Sequence, residues 1–154
     1  MQTFLPFADF TRTAEALDDR RLGKQRVEVL QILRALTREK YGWQHHPAVL
    51  MWRDHEEALG TYGLVVCREW TGRGRSDTVD PKIREELAAL GISHPRPQQE
   101  LAAAGALPPW LGDEAVHRSH RAALLRKDPG WYGPRFPDAP EDADYVWPVR
   151  IGSG

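Results

Sequence analysis

The stretch from residue 13 to residue 36 constrains the fold most, because its apolar residues recur at the spacing of an α-helix. The apolar residues that share one face are Leu22, Val29, Leu30, Leu33 and Leu36. The pattern predicts a long amphipathic helix with this face in the core, and Thr11 or Thr13 is the expected N-cap. Gly23 interrupts the helix at a cost of roughly 1 kcal/mol relative to alanine. A glycine in this position predicts the close approach of a partner helix or a ligand.

Glu28 falls at the edge of this apolar face, with cations within reach. Four basic residues lie within seven positions of one another: Arg20, Arg21, Lys24 and Arg26. A partly buried carboxylate that is surrounded by cations can act as a catalytic acid or base on an anionic substrate. The alternative is an ordinary helix with a solvated basic face and a Lys24–Glu28 pair worth about 0.3–0.5 kcal/mol. Spacing alone favours this alternative.

The rest of the chain predicts three further helices, over residues 47–70, 81–90 and 114–127. Their start signals are Pro47, the pair Asp80-Pro81 with Asp80 as the cap, and Asp113. Residues 98–104 predict one helical turn within a Pro-rich loop. The fold class predicted from these elements is all-α: a single compact domain of about four helices with long Pro-rich loops, spanning residues 1–150.

Both ends of the chain are expected to be extended. Residues 1–10 form an arm whose apolar side chains pin it to the core. Tyr145, Val146 and Trp147 are expected to fold back as a short strand or an extended lid. The last four residues, 151–154, are predicted to be a disordered tail or a cloning remnant without a role.

Composition excludes several classes of protein. The 154 residues suit one domain with a substantial core, and no apolar run approaches the roughly 18 residues of a membrane span. Cys67 is the single cysteine, so no internal disulfide is possible and a cytoplasmic location is expected. It lies in an apolar helical stretch, which predicts an inert core thiol. The net charge of −1 argues against a generic nucleic-acid coat but allows a local basic face.

A second basic cluster follows in the predicted helix over residues 114–127. Its members are Arg118, Arg121, Arg126 and Lys127, and Trp131 and Tyr132 come just after. The same helix carries His117 and His120. Cations followed by flat rings suit phosphate contact and base stacking, but a solvated helix end explains the cations equally well. His117 and His120 lie on one helix face, yet the partners of a known zinc pattern are missing, so no metal site is predicted.

Four stretches in order carry a resemblance to a known family. They are the arm and helix with Leu22 and Glu28 six positions apart, His46-Pro47 after Tyr41-Gly-Trp43, the helix end Glu69-Trp-Thr-Gly-Arg-Gly74, and His117-Arg-Ser-His-Arg-x-x-Leu-x-x-Lys-x-Pro-x-Trp-Tyr132. Together they resemble the pyrimidine-dimer DNA glycosylases of the phage endonuclease V type, as a divergent bacterial member.

The resemblance implies a compact helical fold and base excision with strand scission on damaged or abasic duplex DNA. In that family an N-terminal amine attacks C1′ of the damaged nucleotide, a helix glutamate assists as acid/base, and a base is flipped out. Carried over, Met1 supplies the amine and Glu28 is the glutamate. No cofactor, membrane or obligate protein partner is implied. The expected DNA contacts are Arg20, Arg21, Lys24, Arg26, His46, His117, Arg118, His120, Arg121, Lys127, Trp131 and Tyr132.

The sequence departs from the family pattern at three points. Gln2 is too bulky for ordinary methionine removal, so Met1 is expected to stay. Val27 and Gln31 stand where the family has arginines near the glutamate, and Arg21, Lys24 and Arg26 are the possible substitutes. The chain also lacks the strongly basic charge of the phage enzymes.

Two other functions therefore stay open. One is the same fold with a pocket for a small nucleotide or another anionic metabolite, contacted by Arg21, Glu28, His46, His117 and Arg121. The other is a non-catalytic nucleic-acid-binding or structural protein, in which Glu28 only pairs with Lys24.

Overall fold

The computed structural model describes residues 1–140 and 142–149, and within these ranges the chain is all-helical, as predicted. The helices, in chain order, are α1 (Phe10–Ala16), α2 (Asp19–Thr37), α3 (Pro47–Leu50), α4 (Glu56–Gly72), α5 (Asp80–Ala89), α6 (Gln98–Ala103), α7 (Glu114–Lys127) and α8 (Pro129–Tyr132). There are four more of them in the described ranges than expected: two of the predicted helices are each interrupted, and α6 and α8 are short helices outside the predicted four.

The predicted helix over residues 13–36 is wrong in one respect, because it is two helices. Leu17 and Asp18 adopt extended backbone between α1 and α2. Asp9 caps α1 through the N–H of Arg12, so the expected caps Thr11 and Thr13 are also wrong. Helix α8, which is distant in the sequence, stabilises this break: the Tyr132 hydroxyl accepts a hydrogen bond from the Asp18 N–H at 3.0 Å.

Helices α2 and α4 pack together at the centre of the fold, and Gly23 permits this contact. A Cβ added at Gly23 would lie 2.7 Å from the Trp70 ring of α4. A real Cβ would force that large ring to move. The close approach predicted at Gly23 is therefore to a partner helix.

The predicted helix over residues 47–70 is also interrupted. Asp54 takes a left-handed backbone with φ of 68°, between α3 and α4. The turn carries Trp52 into the core, where it is fully buried and its Nε1 donates to Thr3 Oγ1 at 3.0 Å. A continuous helix would not contain this turn. The burial of Trp52 beneath the arm therefore determines the local backbone here, against the helical periodicity of the sequence.

The remaining boundaries follow the sequence closely. Asp113 caps α7 by accepting from the Ala115 N–H, and α6 occupies the predicted turn. Asp80 is the first residue of α5 and not its cap. Asp77 accepts from the N–H groups of Val79 and Asp80 and satisfies that helix end instead.

The arm is shorter than predicted, because residues 6–9 form bends and Phe10 already begins α1. Cys67 is a core residue. Thr3 and Leu5 of the arm are fully buried. Residues 143–147 of the tail have no regular secondary structure, so the expected short strand does not form there. Residues 151–154 lie outside the described residues. Cys67 is 2% exposed, and burial raises the pKa of its thiol, as expected for an inert core cysteine.

Candidate active site

A cleft of about 360 Å³ opens where the N-terminus meets α2. It is lined by Met1, Gln2, Phe4, Arg20, Arg21, Lys24, Glu28, Lys127 and Tyr145. The wall therefore combines the first residue of the chain, a carboxylate, four cations and two aromatic rings. These parts come from the arm, α2, the end of α7 and the tail, so only the tertiary fold assembles them.

Gln25 of α2 ties the arm to the helix beside the cleft. Its Oε1 accepts from the Phe4 N–H at 2.7 Å, and its Nε2 donates to the Gln2 carbonyl at 2.9 Å. The same Nε2 lies 3.5 Å from the Glu28 carboxylate. One buried amide side chain thus links the register of the arm to the position of Glu28.

His117 and His120 of α7 hold the next residue of the arm. His120 Nδ1 accepts from the Leu5 N–H at 2.9 Å. His117 Nε2 accepts from the Gly112 N–H, so its Nδ1 carries the proton and donates to the Leu5 carbonyl at 2.7 Å. Both side chains are buried, at 2% and 0% exposure. The structure therefore places them behind the arm and away from any surface that DNA could reach.

Two core side chains complete the anchoring of the arm. The Trp52 indole donates to Thr3, and the Tyr62 hydroxyl donates to the Phe4 carbonyl at 2.5 Å. Every residue from Gln2 to Leu5 is buried. Met1 is therefore presented to the cleft by a segment that packing and hydrogen bonds hold on both sides.

Glu28 sits against this segment with little solvent around it. Its side chain is 11% exposed, and Lys24 Nζ lies 3.7 Å from Oε1. Burial raises the pKa of Tyr62 and of Tyr145, and the negative charge of Glu28 raises both further. The carboxylate thus has one solvated cation and two phenols in its surroundings.

The cations of α2 divide between two sides of the helix. Arg20, Arg21 and Lys24 line the cleft, and Arg21 pairs there with Asp18 at 3.2 Å. Arg26 points elsewhere: it pairs with Asp77 at 2.5 Å and lies over the Trp70 ring. Its side chain is 13% exposed, so Arg26 is placed as a structural partner of α4 and α5.

The cluster on α7 is divided in the same way. Lys127 lines the cleft, whereas Arg118 and Arg121 line a separate groove of about 460 Å³ that also holds Arg12 and Arg135. Arg121 donates to the Pro6 carbonyl at 2.7 Å and pairs with Glu114. This groove shares no lining residue with the cleft.

The aromatic pair after α7 does not form an open stacking platform. Tyr132 is fully buried and hydrogen-bonded to Asp18. The Trp131 indole donates to the Ala16 carbonyl at 2.9 Å, and Arg135 covers its ring at 3.8 Å. Both side chains instead hold the break between α1 and α2.

His46 lies close to the N-terminus without lining the cleft. Its Nδ1 accepts from the Ala48 N–H at 3.0 Å and caps α3. Burial lowers the pKa of His46, and the positive N-terminal amine lowers it further. Its ring lies between Trp43 and Trp147, with 6.0 Å between ring centroids on each side.

Four residues at or beside the cleft were missed from the sequence: Gln2, Phe4, Gln25 and Tyr145. Gln25 carried a usable signal, because it falls three residues after Leu22 and four before Val29, on the apolar face of α2. A polar side chain on a buried face needs a partner. The identity of that partner, the backbone of the arm, has no local signature.

Within the described ranges, no group of three or more histidine, cysteine or acidic side chains is placed to hold a metal ion. No helix in those ranges is both long and apolar enough to cross a membrane.

The comparison with known families adds to this geometry. A family model described as pyrimidine dimer DNA glycosylase matches residues 1–82, more than half of the chain. The chain belongs to this family. No curated protein and no solved structure matches it. The family assignment predicted from the sequence is confirmed, and it makes the chain a DNA repair glycosylase in general terms.

The matched residues of this glycosylase contain the arm, Glu28 and His46. Helix α7 and the tail, which complete the cleft with Lys127 and Tyr145, lie beyond the match.

Acid should destabilise this glycosylase through His120. Burial, and then the neighbouring His117, lower the pKa of His120 from 6.5 to about 3. Between these values the unfolded chain binds a proton that the folded chain excludes, so stability is full above pH 6.5 and falls as the pH drops. The free energy of unfolding should fall by about 1.4 kcal/mol for each pH unit below that point.

Denaturant unfolding at pH 7.5 and pH 5 measures this slope, and His120→Gln is the comparison. The variant removes the titrating ring but keeps an oxygen that can accept from Leu5. Part of the pH dependence of the free energy of unfolding should persist in His120→Gln, because the pKa of His46 is also lowered. Equal slopes in the two proteins would show that His120 does not carry the effect.

Proposed function

We propose that this chain is a DNA N-glycosylase and abasic-site lyase that uses the Met1 amine as nucleophile and Glu28 as acid/base. The single observation that carries the proposal is that Met1 and Glu28 line the same cleft, although they are 27 positions apart in the chain. Proximity of nucleophile and acid/base is the geometry that covalent catalysis requires. A DNA substrate also agrees with the cytoplasmic location that the single cysteine predicts.

The reaction assigns a step to each group. The amine nitrogen bonds to C1′ as the glycosidic bond breaks, and the base leaves with the bonding electrons and takes up a proton. Opening of the sugar ring gives an imine between Met1 and C1′. Glu28 accepts a proton from C2′, which expels the 3′-phosphate by β-elimination, and water then hydrolyses the imine to free the amine.

The cations at the mouth of the cleft supply the contacts to DNA phosphates. Arg20 and Lys127 are exposed and make no ion pair with the described residues. The Lys24 side chain is 74% exposed and only loosely paired with Glu28. Three such contacts would give a shallow salt dependence, with a slope of about −3 in a plot of log affinity against log salt concentration.

Borohydride trapping tests the proposal directly. The untagged protein is incubated with a duplex that holds one abasic site, and borohydride reduces any imine to a stable amine link. We expect a covalent protein–DNA complex, with peptide mapping that places the link on Met1. Acetylation of the N-terminus should abolish trapping, and a duplex without an abasic site is the control.

Absence of trapping at low salt, with a free Met1 amine verified by mass spectrometry, would overturn the lyase proposal. The second candidate function would then take its place. The cleft volume of about 360 Å³ lies in the range of small-ligand pockets, and the net charge of −1 suits a compact anionic ligand better than a duplex. Tight binding of a small nucleotide together with weak duplex binding would support that function.

A further inference from the structure

A row of rings leads from the cleft to the protein surface. Tyr145 lines the cleft, and its ring centroid lies 5.5 Å from that of Trp147. Trp147 lies 6.0 Å from His46, and His46 lies 6.0 Å from Trp43. Trp43 is therefore the outer member of a continuous aromatic row that starts beside Glu28.

Trp43 differs from the other tryptophans in its exposure and its backbone. Its residue surface is 65% exposed, whereas Trp52 and Trp110 are 0% and 8% exposed. Its φ is 70°, in the left-handed region that favours glycine and is strained for a bulky residue. An exposed indole on a strained backbone adds little to folding, and a strained residue beside a cleft points to function.

The loop that carries Trp43 is held in place. The Trp43 carbonyl accepts from the His46 N–H at 3.0 Å. The side chain of Gln44 donates to the carbonyls of Arg38 and Glu39, which follow the end of α2. The indole is thus presented to solvent from an anchored loop, which limits the entropy lost when it binds a partner.

We propose that Trp43 stacks on a nucleobase of the opened duplex next to the reacting nucleotide. The inference rests on the proposed function, because an enzyme that takes one nucleotide out of the helix leaves the faces of neighbouring bases uncovered. An aromatic side chain can cover such a face, and the interaction tolerates any base. His46 and Trp147 link this indole to Tyr145 in the cleft, so a base that flanks the reacting nucleotide is the one within its reach.

Two substitutions separate stacking from folding. Trp43→Gly removes the ring and relieves the left-handed backbone, so its thermal unfolding temperature should not fall. Trp43→Phe keeps an aromatic face. Leu90→Ala is the matched control, because Leu90 is a similarly exposed apolar residue, 45% exposed, at the end of α5.

The probe is a duplex with a tetrahydrofuran abasic analogue, which cannot form an imine and therefore reports binding alone. By fluorescence anisotropy, Trp43→Gly should bind it about 5- to 150-fold more weakly, as expected for the loss of one stacked base. Trp43→Phe and Leu90→Ala should stay within about threefold of the original protein. A 2-aminopurine base beside the analogue should be quenched by the original protein and less by Trp43→Gly.

Unchanged affinity and unchanged 2-aminopurine quenching in Trp43→Gly would overturn the stacking role. Equal weakening on an intact duplex would also overturn it, since the contact would then not depend on an opened site. Borohydride trapping of the original protein on a natural abasic site distinguishes failure of the proposed lyase function from failure of the stacking role of Trp43. If trapping succeeds and Trp43→Gly binds normally, only the stacking inference fails. If trapping fails, the proposed function fails, whatever Trp43 does.

Discussion

Replacing Glu28 with glutamine should slow β-elimination at an abasic site, and with it strand scission, by about 10²- to 10⁴-fold, the usual contribution of a positioned acid/base. Glutamine has the shape of glutamate but cannot accept the C2′ proton or balance developing positive charge. The Glu28 carboxylate lies 3.7 Å from Lys24 Nζ and 3.5 Å from Gln25 Nε2. The amide oxygen of glutamine can accept from either donor, so the substitution should leave the fold intact.

Single-turnover strand scission at saturating abasic duplex measures this effect on the chemical step without a contribution from binding. Glu15→Gln is a matched control, because Glu15 is an exposed glutamate on α1 and does not line the cleft. A Glu28→Gln protein with the original rate would support the non-catalytic alternative, in which Glu28 only pairs with Lys24.

Gln25→Leu should have the second largest effect, and it should act on stability and catalysis together. The substitution leaves the Phe4 N–H and the Gln2 carbonyl without their partner. A buried polar group without a partner costs about 1–3 kcal/mol, so the free energy of unfolding should fall by that amount for each of the two groups. The arm should loosen, and a displacement of about 1 Å at the amine can slow the reaction about 10²-fold.

Denaturant unfolding measures the loss of stability, and trapping rates are compared at a temperature where both proteins stay folded. Gln31→Leu is the control, because Gln31 is exposed on the same helix. Aminopeptidase digestion gives a separate reading of the arm, since Met1 should be removed faster from Gln25→Leu. Original stability and original digestion rate in this variant would show that Gln25 does not position the arm.

Much of the architecture could be predicted, because the signals are local. The apolar periodicity of α2, the cap at Asp113 and the turn over α6 each depend on residues within a few positions of one another. The same is true of Cys67, whose apolar neighbours in α4 predicted its burial. The broken helices were missed, since their breaks are imposed by Tyr132 and Trp52 through contacts with distant parts of the chain.

The candidate site was predicted less completely, for the same reason. A sequence does not distinguish a histidine that hydrogen-bonds to the backbone from a histidine that contacts a phosphate. His117 and His120 are separated from Leu5 by more than 110 positions, and only the folded chain shows that they hold it. Arg26 likewise belongs to the basic cluster in sequence but pairs with Asp77 in the structure.

The sequence by itself determined that α2 has a buried face with Glu28 at its edge and cations beside it, because helical periodicity is a short-range property. Only the tertiary structure decided that Met1, Glu28, Lys127 and Tyr145 line one cleft, and that Trp43 stays exposed. These placements depend on the buried hydrogen bonds of Gln25, His117 and His120 to the arm. Such bonds form between segments that meet only after the chain has folded.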